Sequence, residues 1–127
     1  MVNITIRPAA WHAGGFLKAE GHAGKREDGG GVDPVCAACT ALFEGLAVNL
    51  HDMAGIAVMR RAKSGLYDLR WTKEYHGSTP QSLHAANSAA WNFYKALDAL
   101  SRTYPDAVRV RWDKAEYMKP GKGRPKR

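Results

Sequence analysis

Val2, Ile4 and Ile6 alternate with Asn3, Thr5 and Arg7, the two-residue period of a strand that buries one face. Residues 16–21 predict a second strand, ending at His22. Residues 55–61 and 66–75 predict a hairpin that turns near Lys63, Ser64 and Gly65. In its second arm Tyr67, Leu69 and Trp71 share one face, opposite Asp68 and Arg70. Val108, Val110 and Trp112 alternate with Arg109 and Arg111 in a last strand. Two longer segments follow a helical period instead. Over residues 34–52, Val35, Ala38, Cys39, Leu42, Leu46, Leu50 and Met53 fall on one stripe. Leu83, Ala86, Ala90, Phe93, Leu97 and Leu100 do the same in a second helix that runs to Thr103 and is broken by Tyr104, Pro105 and Asp106. Each helix opens on a capping residue followed by proline, Asp33-Pro34 and Thr79-Pro80.

The predicted order is strand, strand, helix, strand, strand, helix, strand. Because the strands alternate rather than run continuously apolar, one face of the sheet is covered and the other wetter. The fold class that follows is α/β (α+β), a two-layer sandwich with a mixed, mostly antiparallel sheet and two helices on one face. A length of 127 residues suits a single domain. Its body is placed at residues 1–118, and residues 119–127 form a basic tail expected to be disordered.

Composition narrows the class. Apolar residues make up 45% and charged residues 24% of the chain, the proportions of a globular protein. No stretch approaches the ~20 apolar residues of a membrane span, and the alternating N-terminus has no signal-peptide core. The expected location is the cytoplasm, where Cys36 and Cys39 stay reduced. The net charge of +7 is uneven. Residues 119–127 carry five basic side chains and no acid, leaving 14 basic and 12 acidic groups for residues 1–118. Such a tail attracts RNA or ribosomes through phosphate contacts. It also serves as a solubilising end, and no aromatic interleaves its cations to stack on bases. A non-enzymatic RNA- or ribosome-associated module is therefore the alternative to an enzyme.

The candidate chemistry lies in two segments. Gly21-His22-Ala23-Gly24 is a glycine-bracketed turn presenting an imidazole. Asp33-Pro34-Val35-Cys36 starts a helix with a thiol in its first turn. With Asp33 as the cap, the amides and dipole of the helix start favour a thiolate at Cys36 and are placed to donate to an oxyanion. Cys39 points into the apolar stripe and is expected to be a packed core residue. The Cys-x-x-Cys spacing also permits a dithiol switch, and His22 and His12 would complete a zinc site with the two cysteines. Neither histidine has a recognised metal spacing, so no metal or cofactor is expected. His12, His51, His76 and His84 read as surface residues; His84 and Trp91 flank the stripe of the second helix, where a self-contact and ordinary half-exposure explain them equally well.

These motifs resemble the Prp family of ribosomal-processing cysteine proteases, also known as YsxB-like proteins. The resemblance rests on Gly21-His22-Ala23-Gly24 and on Asp33-Pro34-Val35-Cys36-Ala37-Ala38-Cys39-Thr40-Ala41-Leu42, and extends in layout over residues 2–112. It implies a cysteine endopeptidase with a Cys–His dyad, in which Cys36 is the nucleophile and His22 its base. Gly21, Asp33 and Thr40 take supporting positions. Asp33 is first a helix cap, with orientation of His22 as its second role. The implied substrate is a precursor protein, either a large-subunit ribosomal protein trimmed at its N-terminus or a phage capsid or scaffold protein of a prophage. The resemblance further implies a homodimer and a mobile loop over the site. This chain departs from the family pattern at several points. The interval from His22 to Cys36 is longer, Lys25 and Arg26 follow the histidine motif, Pro34 and Cys39 replace aliphatic residues, and the basic tail is extra.

Overall fold

The computed structural model describes residues 1–9, 14–22, 33–53, 56, 58–71 and 80–113. The expectations for Ala23, Gly24, the loop 25–31, His12, His76, Thr79 and the tail 119–127 lie outside the described residues. Five strands and two helices follow in the predicted order: β1 (Val2–Arg7), β2 (Gly15–Glu20), α1 (Pro34–Val48), β3 (Val58–Lys63), β4 (Leu66–Trp71), α2 (Pro80–Thr103) and β5 (Val108–Trp112). A π-helical turn, Asn49–Met53, extends α1.

The sheet order is β3-β4-β2-β1-β5. Three pairings are antiparallel and the β1–β5 pairing is parallel, so the sheet is mixed as predicted. Register places Ile4 opposite Ala19 and Leu17 opposite Leu69. These residues are buried, with Val2, Ile6, Tyr67, Trp71 and Val108, in one core shared with the helices. α1 contributes Cys39, Phe43, Leu46 and Ala47, with Leu50 following in the π-helical turn; α2 contributes Ala86, Ala89, Ala90 and Leu97. Burying each large apolar side chain here stabilises the fold by roughly 1.5–3 kcal/mol.

Three details differ from the sequence-based expectation. Residues 34–52 are long and apolar enough, by length and composition, to cross a membrane, which corrects the expectation that no stretch approaches a membrane span. This segment packs its buried side over the sheet as a core helix. The stripe of α1 is centred nearer to Phe43, which the predicted stripe omits. Phe43 is buried and packs on Tyr67 with ring centroids 4.9 Å apart. The first arm of the hairpin starts later and ends later than predicted, at Val58–Lys63, because β3 pairs residue by residue with all of β4.

Candidate active site

The N-terminus of α1 is built as its sequence dictates. Asp33 is extended, and its Oδ1 accepts hydrogen bonds from the amides of Val35 at 2.8 Å and Cys36 at 3.0 Å. Its carbonyl accepts the first helical bond, from the Ala37 amide at 2.9 Å. Pro34 has no amide to satisfy. Every donor of the first helical turn is therefore engaged, and Cys36 is fixed one turn inside a capped helix. The cap also overturns one expectation: the amides of Val35, Cys36 and Ala37 already have acceptors and are not open to an oxyanion.

His22 follows the end of β2 across Gly21, whose φ of +99° lies in the left-handed region. A side chain at Gly21 would also collide with the Met1 carbonyl. Glycine is required there on both counts. The Gly21 amide donates to the Gly65 carbonyl at 2.9 Å, which ties the turn after β2 to the β3–β4 turn. Gly65 has a φ of +74°, and a Cβ placed on it would lie 2.9 Å from His22 Nε2. The hairpin turn thus backs directly against the imidazole.

His22 and Cys36 both open on a pocket of about 370 Å³. One wall is α1, where Cys36, Thr40 and Glu44 succeed one another at single-turn intervals. The opposite wall is the β3–β4 hairpin, from Arg60 through Lys63, Ser64 and Gly65 to Tyr67. Gly21, Cys39, Phe43, Val2 and Ala19 complete the lining. An ion pair joins the two walls, with Arg60 Nε 2.6 Å from Glu44 Oε1. Between them the Tyr67 hydroxyl is buried without a hydrogen bond, and Arg60 and Glu44 stand beside it short of bonding geometry. Burial, and then the Glu44 carboxylate, push its ionisation above the ordinary value for a phenol.

The two cysteines differ sharply. They are not joined in a disulfide; Cys36 is half-buried, and Cys39 is only 1% exposed. Burial foremost, then the neighbouring Cys36 and Asp33, push the Cys39 thiol up to about 11. Cys39 is therefore held as a neutral thiol in the core. Among the described residues, no group of three or more His, Cys, Asp or Glu is placed to hold a metal ion. His51 pairs with Asp52 at the surface, 2.8 Å apart, and His84 is exposed on α2.

The structure brings His22, Cys36, Gly21 and Thr40 to one pocket and sets Asp33 behind it as the cap. Sequence reasoning recognised Lys63-Ser64-Gly65 only as a turn and passed over Glu44, Arg60 and Tyr67. The β2–β4 pairing that carries the hairpin to His22 has no local signal in the sequence.

The fold is shared with solved cysteine protease structures. The Prp protease from S. aureus with a covalently linked product peptide superposes with a TM-score of 0.66 at 16% identity, covering 89% of this chain and all of the other. Its complex with a substrate peptide gives 0.64 at the same identity and coverage. SMU.848 from Streptococcus mutans gives 0.63 at 23% identity, covering 88% of this chain and 93% of the other. No curated protein sequence matches the chain. The sequence model of the family described as cysteine protease Prp matches residues 1–109, a span that includes both motifs and the pocket between them. The chain belongs to the Prp family of cysteine proteases.

Proposed function

We propose that the pocket is the active site of an endopeptidase with Cys36 as nucleophile and His22 as base, and that it trims the N-terminal extension of a large-subunit ribosomal protein precursor. The observation that carries this reading is the opening of His22 and Cys36 onto one pocket, each held by local structure. The S. aureus relative is described as a ribosomal processing protease, which supports the substrate class. A phage capsid or scaffold precursor is the nearest variant of the same substrate. The enzyme acts in the cytoplasm as a homodimer in this reading, and needs no cofactor.

In the first step the Cys36 proton passes to His22, and the thiolate attacks the scissile carbonyl. As the tetrahedral intermediate collapses, the carbon–nitrogen bond breaks and protonated His22 gives its proton to the departing amine. Water, deprotonated by His22, then cleaves the thioester and restores the Cys36 thiol. The oxyanion of either intermediate draws on donors other than the capped amides of Val35, Cys36 and Ala37. Thr40 lines the pocket one turn beyond Cys36, where it supports the wall on which the peptide lies.

The test is co-expression of the wild type and Cys36→Ala with precursors from the same genome, followed by mass spectrometry of their N-termini. The expected result is a truncated ribosomal protein with the wild type alone. Truncation that persists in Cys36→Ala, or none in any precursor, overturns the assignment.

A further inference from the structure

The face of the sheet turned away from the helices carries a charge pattern that the composition conceals. Strand register places Arg109 and Arg111 of β5 level with Asn3 and Thr5. On across the sheet, Thr5 lies level with Lys18, Lys18 with Asp68, and Asp68 with Arg61. The adjoining rows add Arg7, Phe16, Arg70 and Met59, and Glu20, Leu66 and Lys63. With Asp113, which follows β5 in the same register and donates its amide to the Ile6 carbonyl at 2.7 Å, seven cations and three carboxylates share one face, a net +4. Residues 1–118 as a whole carry 14 basic and 12 acidic groups. A nearly neutral body therefore folds into a strongly basic sheet face, and the rest of it is acidic on balance.

An ordinary solvated sheet face mixes the two signs, because like charges on neighbouring strands destabilise one another. Among the described residues, Lys18–Glu20 and Arg70–Asp68 pair on this face, at 3.0 and 3.1 Å. Arg61, Lys63, Arg109 and Arg111 are exposed. Five of the seven cations are arginines, whose planar forks bind phosphate in bidentate fashion. Arg7 lies over the Phe16 ring, 4.7 Å from its centroid, in the end row of this surface where β1 and β2 pair. A guanidinium plane supported on an aromatic ring is a platform on which an unpaired base stacks. A lipid surface would call for exposed apolar side chains to insert, and the described face offers Met59 alone among its strongly exposed positions.

We propose that the open sheet face is a docking surface for single-stranded RNA, which adjoins the peptidase pocket at Lys63 and Leu66 of the hairpin turn and otherwise lies across the sheet from it. The arginine-rich charge and the Arg7–Phe16 platform select a single-stranded nucleic acid. The choice of RNA within that class rests on the ribosomal-precursor reading above. The sequence had assigned RNA contact to residues 119–127, whereas this surface lies within the folded body.

The test measures binding of a fluorescein-labelled U12 RNA to the full chain by anisotropy across a salt series. Each phosphate contacted on a single strand contributes about −0.7 to the slope of log K against log salt. Reversing three exposed edge cations together, Arg61→Glu, Arg109→Glu and Arg111→Glu, is expected to weaken binding at least tenfold and to flatten the slope by about 2. The milder Arg109→Gln and Arg111→Gln pair gives an intermediate loss and guards against a folding defect in the reversal. A full-length chain with the basic residues of 119–127 changed to Gln is expected still to bind. An unchanged Kd and slope in the triple variant, loss of all binding in the tail variant, or equal affinity for polyglutamate or a 12-base-pair RNA duplex overturns the proposal. Precursor cleavage by the triple variant, followed alongside, reports separately on the peptidase reading. RNA binding through this face by a chain that cleaves nothing would overturn that reading and leave the surface standing.

Discussion

The two walls of the pocket are held by different kinds of interaction. The α1 wall is local: Asp33, Pro34 and the first helical turn fix Cys36 within a few residues of chain. The hairpin wall is assembled from a distance. Gly65 reaches His22 only because β4 pairs with β2, and the Gly21 amide then bonds across to the Gly65 carbonyl. A local wall tolerates change in the rest of the fold, while a long-range wall transmits it. Damage to the helix cap should therefore be graded, whereas damage at the hairpin turn should reach the imidazole at once.

The sharpest contrast lies within the α1 wall. Cys36→Ala is expected to abolish precursor cleavage, a loss of three orders of magnitude or more, because no other group supplies the thiolate. Cys39→Ala, three residues further on, should leave kcat/KM within a few fold. It should lower stability by about 1 kcal/mol for a small cavity in the core. Alkylation followed by mass spectrometry should modify Cys36 in the native state and Cys39 only after unfolding. Equal labelling of the two in the native state would erase the distinction.

The hairpin wall is tested at Gly65. Alanine there is strained twice, by the left-handed φ and by the approach of its Cβ to His22 Nε2. The backbone term alone costs about 1–2 kcal/mol. Gly65→Ala is expected to lose that stability together with ten- to hundredfold in kcat/KM. Gly65→Asn separates the two effects, since asparagine tolerates the left-handed region but still carries the Cβ. It should recover stability and not activity. Recovery of both would show that the turn does not set the imidazole.

A smaller effect is expected at the helix cap. Asp33→Ala should cost about 1 kcal/mol, a fall of a few degrees in melting temperature, with a modest loss of rate as the first turn loosens. Asp33→Asn retains the oxygen that accepts from Val35 and Cys36, and should retain most of the activity. If instead Asp33 acts on His22 through its charge, asparagine will be as slow as alanine. The pair therefore decides between the two roles that the sequence left open.

How far the molecule could be read in advance follows the same division. The strands, both helices and the cap follow from periodicity and from the Asp-Pro start, all of which are short-range signals. His22 and Cys36 stood out through their glycine and helix-start settings. Gly65, Tyr67, Arg60 and Glu44 did not, because their role depends on which strands lie side by side. A crossover order such as β3-β4-β2-β1-β5 is fixed by packing over the whole sheet and leaves no local mark. The misplaced centre of the α1 stripe has a related cause: Phe43 is buried by Tyr67, a partner from β4. The basic sheet face was likewise invisible in a composition that nearly balances.

The last expected effect leaves activity at neutral pH untouched and lies in the pH dependence of stability. Cys39 is pushed from an ordinary 9.0 up to about 11 by burial above all, so the folded chain holds that proton more tightly than the unfolded one. The stability it contributes is complete below about pH 9 and is lost as the pH rises toward 11. Two units correspond at most to roughly 2–3 kcal/mol. Tyr67, raised in the same sense by burial, adds to the decline. Denaturant midpoints measured between pH 8 and pH 11 should fall for the wild type and fall less steeply for Cys39→Ala. The midpoints of Cys39→Ala should converge on the wild type's as the pH rises, because the alanine variant has no proton to lose at that site. Parallel curves would mean that burial does not hold the Cys39 thiol neutral, and the contrast within the α1 wall would then rest on position alone.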